Sequence, residues 1–133
     1  MMKWYIPEVL TDEAVKLKKE VQKQSSLVAV PRIFFAESAN ILWKKSSLTK
    51  ELPRSDVKGI FSRILDLPFH ILEDEDVLLK ALDLALHYSI TVYDGLYLAS
   101  ALYFKAMLVT ADSKLVRRIR PKMRKHILFL GDF

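Results

Sequence analysis

Residues 91–115 have the sequence TVYDGLYLASALYFKAMLVTADSKL, in which a helical pattern, a short apolar run and a second helical pattern follow one another. The run AMLVT, residues 106–110, is continuous and apolar, which is typical of a strand buried on both faces of a sheet. A helix is predicted before it, over residues 91–105, and another after it, over residues 112–119. Strands separated by helices predict parallel pairing, because a parallel crossover needs a connection long enough to hold a helix.

The same alternation extends along the rest of the chain. Further strands are predicted at residues 26–30, 69–72 and 126–130, and further helices at residues 10–24, 31–45, 55–66 and 74–88. The order α β α α β α α β α β predicts an α/β fold whose parallel sheet is covered by helices on both faces. A domain of this kind usually opens on a strand, and MMKWYI, residues 1–6, is too short to hold that strand and its exit turn.

Local signals predict where helices begin and which face of one helix is buried. Four polar residues stand at predicted N-caps: Thr11, Ser55, Thr91 and Asp112. Pro31 is expected in the first turn of its helix. The helix at residues 74–88 is strongly periodic, and its predicted buried face consists of Val77, Leu78, Ala81, Leu82, Ala85 and Leu86.

Length and composition predict one globular domain, residues 1–133, with an ordinary core. The absence of cysteine excludes a disulfide framework and a thiolate metal site. No apolar run approaches the roughly 18 residues of a membrane-spanning helix. Lys3, Pro7 and Glu8 interrupt the apolar residues near the N-terminus, which argues against a signal peptide. We therefore predict a cytoplasmic protein without a membrane partner.

The net charge of +5 is distributed unevenly. The stretch KLVRRIRPKMRKH, residues 114–126, is rich in Lys and Arg and contains no acidic residue. A patch of this kind can bind a polyanion by releasing counterions, and it can equally be a solvated helix face and turn. No glycine-rich phosphate loop is present, which argues against nucleotide binding of the P-loop or Rossmann type.

Acidic residues stand where the carboxyl ends of parallel strands would carry function. Asp112 follows the strand at residues 106–110, Glu37 lies about two turns into the helix after residues 26–30, and Asp94 is in a first helical turn. Together they could hold a hard divalent cation. Each has a structural alternative: Thr91 and Asp94 fit a capping box, Asp112 fits an N-cap, and Glu37 could be a solvated helix residue.

Three segments, FFAESANILWK (34–44), TVYDGLYLASA (91–101) and LVTADSKL (108–115), resemble in order and separation the motifs of PIN-domain nucleases. The resemblance is closest to the VapC-type toxins of toxin–antitoxin pairs. KWYIPE (3–8) and ILFLGDF (127–133) resemble the family's segment after its first strand and its closing strand. The resemblance implies a three-layer α/β/α sandwich and an endoribonuclease dependent on Mg²⁺ or Mn²⁺, which activates water for attack on RNA phosphodiesters.

Matching positions imply that Glu37, Asp94 and Asp112 are the catalytic and metal-binding acids. They also imply that Asn40, on the same helix face as Glu37, and Thr110 position the acids or the substrate. The basic residues expected to contact RNA are Lys114, Arg117, Arg118 and Arg120. The partners implied are RNA, a cognate antitoxin and a second copy of the chain.

The start of the chain departs from the family pattern. Family members carry an aspartate in a D-x-S or D-x-T motif at the end of a central first strand, and that position falls before Met1 here. Either the recorded start is downstream of the true one, or the protein is a degenerate PIN-like module that binds RNA or protein without cleaving it. We expect the sheet to be completed by closing up, by a partner chain or by the KWYI segment.

Overall fold

The computed structural model of the chain describes residues 9–23, 27–73, 75–119 and 121–132. These residues divide into two compact units, one ending at Ile71 and the other beginning at Leu72. The expectations for the first strand and for the KWYI segment concern residues 1–8 and lie outside the described residues. The organisation of residues 1–133 as one domain stays a prediction.

The first unit contains three helices and a two-stranded sheet. Its elements are α1 (Thr11–Gln22), β1 (Ala29–Pro31), α2 (Ile33–Ser47), α3 (Arg54–Leu65) and β2 (His70–Leu72), the last at the boundary. β1 and β2 are neighbours in one sheet. Just before β1, the carbonyl oxygen of Val28 accepts a hydrogen bond of 2.9 Å from the backbone N–H of His70.

Apolar side chains from α2, α3 and the loop between them form a core cluster in the first unit. Leu42, Leu52 and Ile64 are buried at its centre, and further apolar residues pack around them: Phe34, Phe35, Val57, Ile60 and Phe61. The ring of Phe34 meets the rings of Phe35 and Phe69 edge-on, with centroids 5.3 Å apart in both pairs. This packing holds α2, the helix that carries Glu37 and Asn40.

The second unit contains four helices and a parallel pair of strands. Its elements are α4 (Glu75–Tyr88), α5 (Val92–Tyr103), β3 (Leu108–Thr110), α6 (Ser113–Arg118), α7 (Pro121–Arg124) and β4 (Ile127–Phe129), followed by a 3-10 turn (Leu130–Asp132). β3 and β4 run parallel, with Leu108 opposite Ile127 and Thr110 opposite Phe129. The predicted alternation of strands and helices is confirmed; α7 was not predicted.

α4 and α5 pack closely, and glycine permits the approach. A Cβ atom on Gly95 would lie inside van der Waals contact with the carbonyl oxygen of Ala81 and 3.2 Å from its carbonyl carbon. The buried face of α4 consists of Val77, Ala81, Leu84 and Ala85. The predicted burial of Leu78, Leu82 and Leu86 is wrong: these three are exposed, because the helix meets α5 along its alanine side.

Some helix starts agree with the sequence prediction and others do not. The caps at Thr91 and Asp112 are confirmed. Those at Thr11 and Ser55 are wrong, because α1 and α3 begin after Leu10 and Pro53, without a side-chain cap. Pro31 ends β1 and is not in the first turn of α2. None of the helices in the described ranges is long and apolar enough to cross a membrane.

Candidate functional site

Asp94 lies in the first turn of α5, where the Thr91 hydroxyl forms hydrogen bonds with both the backbone N–H and the carboxylate of Asp94. The Thr91 hydroxyl oxygen accepts a hydrogen bond from the Asp94 N–H at 3.1 Å and donates to Asp94 Oδ2 at 2.8 Å. The acid thus reaches the hydroxyl and not, as in the capping box, a backbone amide. Asp94 is half-buried, and no other described residue donates to its Oδ1.

Asp112 lies two residues beyond the end of β3 and caps α6. Its Oδ1 accepts hydrogen bonds from the backbone N–H groups of Lys114 at 2.7 Å and Leu115 at 3.0 Å. The hydroxyl oxygen of Thr110 accepts the Asp112 N–H at 3.0 Å, which orients the turn between strand and helix. Asp112 is exposed, and within the described part of the chain its Oδ2 accepts no hydrogen bond.

The two structural interpretations of these acids therefore do not exclude a ligand role. Each carboxylate accepts its local hydrogen bonds through one oxygen, and no residue in the described ranges donates to the other oxygen. At Asp112 the cap also fixes the side-chain rotamer, because Oδ1 cannot leave the start of α6 without losing the cap, whereas the Asp94 carboxylate is oriented by the Thr91 hydroxyl. Carboxylate oxygens are the donors that hard divalent cations prefer, and Mg²⁺ needs only one or two of them directly. The two acids therefore have the donor type that such a cation takes.

Glu37 and Asn40 lie one turn apart on α2, in the first unit. Glu37 is half-buried and takes part in a hydrogen bond or electrostatic interaction, while Asn40 is exposed. Among the residues that the structure describes, no three His, Cys, Asp or Glu side chains form a group that could hold a metal ion. The three-acid ligand set of Glu37, Asp94 and Asp112 therefore stays a prediction.

The basic residues next to Asp112 lie on α6. Lys114, Arg117 and Arg118 are all exposed. The Arg118 guanidinium donates a hydrogen bond to the carbonyl oxygen of Ser89, so one of its N–H groups ties α6 to the turn after α4. The Lys114 and Arg117 side chains thus offer the more available cations of the three. The predicted RNA contact at Arg120 lies outside the described residues.

Thr91 is the site residue that the sequence pattern identified only as a cap. Its hydroxyl also holds the carboxylate of Asp94, a contact that needs the side chain of residue i+3 to fold back. The Thr-x-x-Asp spacing was the available signal, because it places both side chains at the same helix start. Arg118 had no such signal, since its acceptor at Ser89 is remote in sequence.

Comparison with known proteins decides the family. The family model for the PIN domain matches residues 3–120 of the chain. The chain belongs to the PIN domain family. PIN domains are generally nucleases, they typically use divalent metals, and they often bind RNA and form dimers or toxin–antitoxin complexes. The predicted family is thus confirmed.

A solved structure shows the same fold. The crystal structure of PAE2754 from Pyrobaculum aerophilum is similar with a TM-score of 0.70 and 24% sequence identity, over 96% of this chain and 82% of that one. This likeness concerns the fold alone. Together with the family match, it confirms the predicted α/β fold class and is consistent with the α/β/α sandwich of a PIN domain. No curated protein matches the chain.

Proposed function

We propose that this PIN domain is an endoribonuclease dependent on Mg²⁺ or Mn²⁺, the toxin component of a VapC-type toxin–antitoxin pair. It acts in the cytoplasm and is inhibited by a cognate antitoxin. The proposal rests on the hydrogen bonding of the Asp94 and Asp112 carboxylates. Both acids lie in segments that resemble PIN motifs, both accept hydrogen bonds at a helix start through one oxygen, and no described residue donates to the other oxygen.

The proposal assigns metal binding to three acids and their orientation to neighbouring polar residues. Asp94 and Asp112 would hold the cation, with Glu37 as the third acid. Thr91 orients the first carboxylate, and Thr110 orients the backbone that carries the second. Asn40 would position Glu37 or the substrate from the same helix face. The chemistry that a bound cation supplies is activation of water and neutralisation of charge on the reacting phosphate.

The basic side chains of α6 supply the substrate contact. Lys114 and Arg117 lie on α6, in the first two turns after the capped Asp112, so phosphates bound to them would lie beside that acid. Arg118 and Arg120 would extend this contact along the RNA backbone. These contacts carry no sequence information, because they address phosphate and not base edges.

Substitution of the acids by asparagine tests the proposal. Asn caps helices about as well as Asp, so Asp112→Asn keeps the α6 cap and removes one anionic ligand oxygen. Asp94→Asn keeps an oxygen that can accept from Thr91. We expect Mn²⁺-dependent cleavage of single-stranded RNA to fall by about 100-fold or more in both variants, with unchanged thermal stability. Asp66→Asn, at an exposed acid after α3, is the matched control.

Undiminished cleavage in Asp94→Asn and Asp112→Asn would contradict the proposal.

A second candidate function is a catalytically inactive PIN-like module that binds RNA or protein. One observation favours it: no three potential metal-binding side chains come together in the described ranges. Titration with Mn²⁺ discriminates between the two, because an inactive module would show no binding at about 1 mM cation.

A further inference from the structure

The turn between α4 and α5 is short and leads directly to Asp94. It comprises residues 89–91, between the last residue of α4 and the first residue of α5. Ser89 is exposed and has a φ of 53°, a left-handed conformation that costs free energy in most residues other than glycine. The turn therefore needs contacts to hold this shape, since its own sequence does not favour it.

Backbone hydrogen bonds hold the other two residues of the turn. The Ile90 N–H donates to the Ala85 carbonyl oxygen at 3.2 Å, the bond that a Schellman motif forms across a left-handed residue. The Thr91 carbonyl oxygen accepts the Gly95 N–H at 2.9 Å in the first turn of α5. Neither bond uses the carbonyl group of Ser89.

The partner of the Ser89 carbonyl oxygen is Arg118, the last residue of α6. Its guanidinium donates to that oxygen across 29 positions of sequence. The hydrogen bonds at Asp94 and Asp112, by contrast, reach only two or three positions. Such local bonds fix each acid on its own helix, but they do not fix one helix start relative to the other.

Helix α6 is fixed in the second unit by its buried side, so a contact from it can locate the turn. Leu115 is 5% exposed and Ile119, directly after the helix, is 2% exposed. Asp112 caps the start of α6, about 9 Å along the axis from Arg118. α6 thus carries one candidate ligand at its start and, at its end, the arginine that contacts the turn before the other candidate ligand.

We propose that Arg118 is a positioning residue for the metal site. Its hydrogen bond to Ser89 sets the start of α5, and with it Asp94, relative to Asp112 at the start of α6. The inference rests on the proposed function, because it takes these two acids as metal ligands. It adds to the phosphate contact proposed for Arg118, since the bond to Ser89 uses only one of the N–H donors of the guanidinium.

The direction of the change in cation affinity separates positioning from simple electrostatics. A positive charge near a metal site repels the cation, so removal of an arginine should by itself strengthen Mn²⁺ binding. Loss of positioning acts in the opposite direction, because outer groups that orient ligands contribute about tenfold or more to metal affinity. Arg117 provides the comparison: it is the neighbouring exposed arginine of α6, about 100° around the helix from Arg118.

Titration of the metal-free full chain with Mn²⁺, in the absence of RNA, measures this direction. We expect Arg118→Gln to weaken Mn²⁺ binding by about tenfold, because glutamine is too short to reach Ser89. Arg117→Gln should leave the affinity unchanged or raise it by up to about twofold. Equal affinities for the two variants, or tighter binding by Arg118→Gln, would overturn the proposal.

Amide hydrogen exchange of the metal-free chain tests the contact without any ligand. Arg118→Gln should accelerate exchange at the N–H groups of Asp94 and Gly95 by about tenfold, since both donate to Thr91 at the turn. The Lys114 N–H, which donates to the Asp112 carboxylate, should keep its rate to within about twofold. Unchanged exchange at both Asp94 and Gly95 would refute the coupling of Arg118 to α5.

A second substitution restores the turn without the arginine. Glycine adopts the left-handed conformation of Ser89 at no steric cost, so Ser89→Gly favours the turn by itself. Added to Arg118→Gln, it should bring Mn²⁺ affinity to within about threefold of the wild-type value, and it offsets any loss of stability. A double variant that binds Mn²⁺ no better than Arg118→Gln would show that Arg118 does not act through the turn.

The variant Asp94→Asn separates failure of this inference from failure of the proposed function. If Asp94→Asn binds Mn²⁺ as tightly as the wild-type chain, Asp94 is not a ligand, and the proposed function and this inference fall together. If Asp94→Asn weakens binding and Arg118→Gln does not, only the role of Arg118 is refuted. An Arg118→Gln variant that changes the salt dependence of RNA binding, with Mn²⁺ affinity unaltered, would likewise leave Arg118 as a phosphate contact alone.

Discussion

Replacing Gly95 by alanine tests the packing of α4 on α5, which places Asp94 relative to the rest of the second unit. The added Cβ would be closer to the Ala81 carbonyl oxygen than real Cβ contacts are, and 3.2 Å from the carbonyl carbon. Both atoms belong to backbone, so no flexible side chain can give way. The helices must therefore move apart at this point by roughly 0.5–1 Å. Gly59, in α3, has no atom within 4 Å of its hypothetical Cβ, and it is the matched control.

Two effects decide the sign of each substitution. Alanine is favoured over glycine in a helix by about 1 kcal/mol, which stabilises both variants. Overpacking costs about 1–3 kcal/mol and applies only to Gly95→Ala. We therefore expect Gly59→Ala to raise the free energy of unfolding by about 0.5–1 kcal/mol. Gly95→Ala should lower it by up to about 2 kcal/mol, so that the variants differ by about 1–3 kcal/mol.

Urea denaturation followed by circular dichroism measures this difference directly. Thermal unfolding provides a second reading, with roughly 3 °C in Tm for each kcal/mol in a chain of this size. Two variants of equal stability would refute the reasoning, because the backbone contact at Ala81 would then carry no energetic consequence. A stabilised Gly95→Ala would refute it more strongly.

Three further predictions concern single side chains. Thr91→Val removes both hydrogen bonds to Asp94 and should weaken Mn²⁺ binding by about 10–100-fold, while Thr91→Ser, which keeps both, should not; equal titrations for the two variants would contradict the positioning role. Lys105 has a φ of 52° just after α5, so Lys105→Gly should raise the free energy of unfolding by about 0.5–1 kcal/mol in urea melts; an unchanged value would show that the left-handed backbone costs nothing there. A plot of log affinity for single-stranded RNA against log salt has a negative slope, and Arg117→Gln should reduce the magnitude of that slope by about 0.7. An unaltered slope would exclude a phosphate contact.

The local features of the candidate site could be predicted from sequence. Thr91 and Asp112 cap their helices as expected, because a cap involves only residues two or three positions apart. The same reasoning failed at Thr11 and Ser55. Helix α1 begins at Thr11 itself, and helix α3 begins one residue before Ser55. Preferences at a helix start are weak enough for neighbouring structure to shift it by a residue or two.

Unlike the helix caps, the assembly of the three acids into one site could not be predicted from local sequence patterns. Sequence order brings Asp94 and Asp112 into one unit, separated by α5 and β3. A ligand set that joins Glu37 to these acids was predicted from the family motifs, and no periodicity in the sequence encodes it. The resemblance to PIN domains supplied this expectation, and the family match supports the class of protein while the ligand set stays a prediction.

The sequence by itself determined the alternation of strands and helices, the parallel pairing of β3 with β4 and the capped acids, because hydrophobic period and capping act within a few residues. Only the tertiary structure decided which side of α4 is buried. The helix is rich in leucine and alanine around most of its circumference, so its period fits more than one buried face. The close approach of α5 at Gly95 selects the alanine side, since small residues let the backbones meet there, and leaves Leu78, Leu82 and Leu86 at the surface.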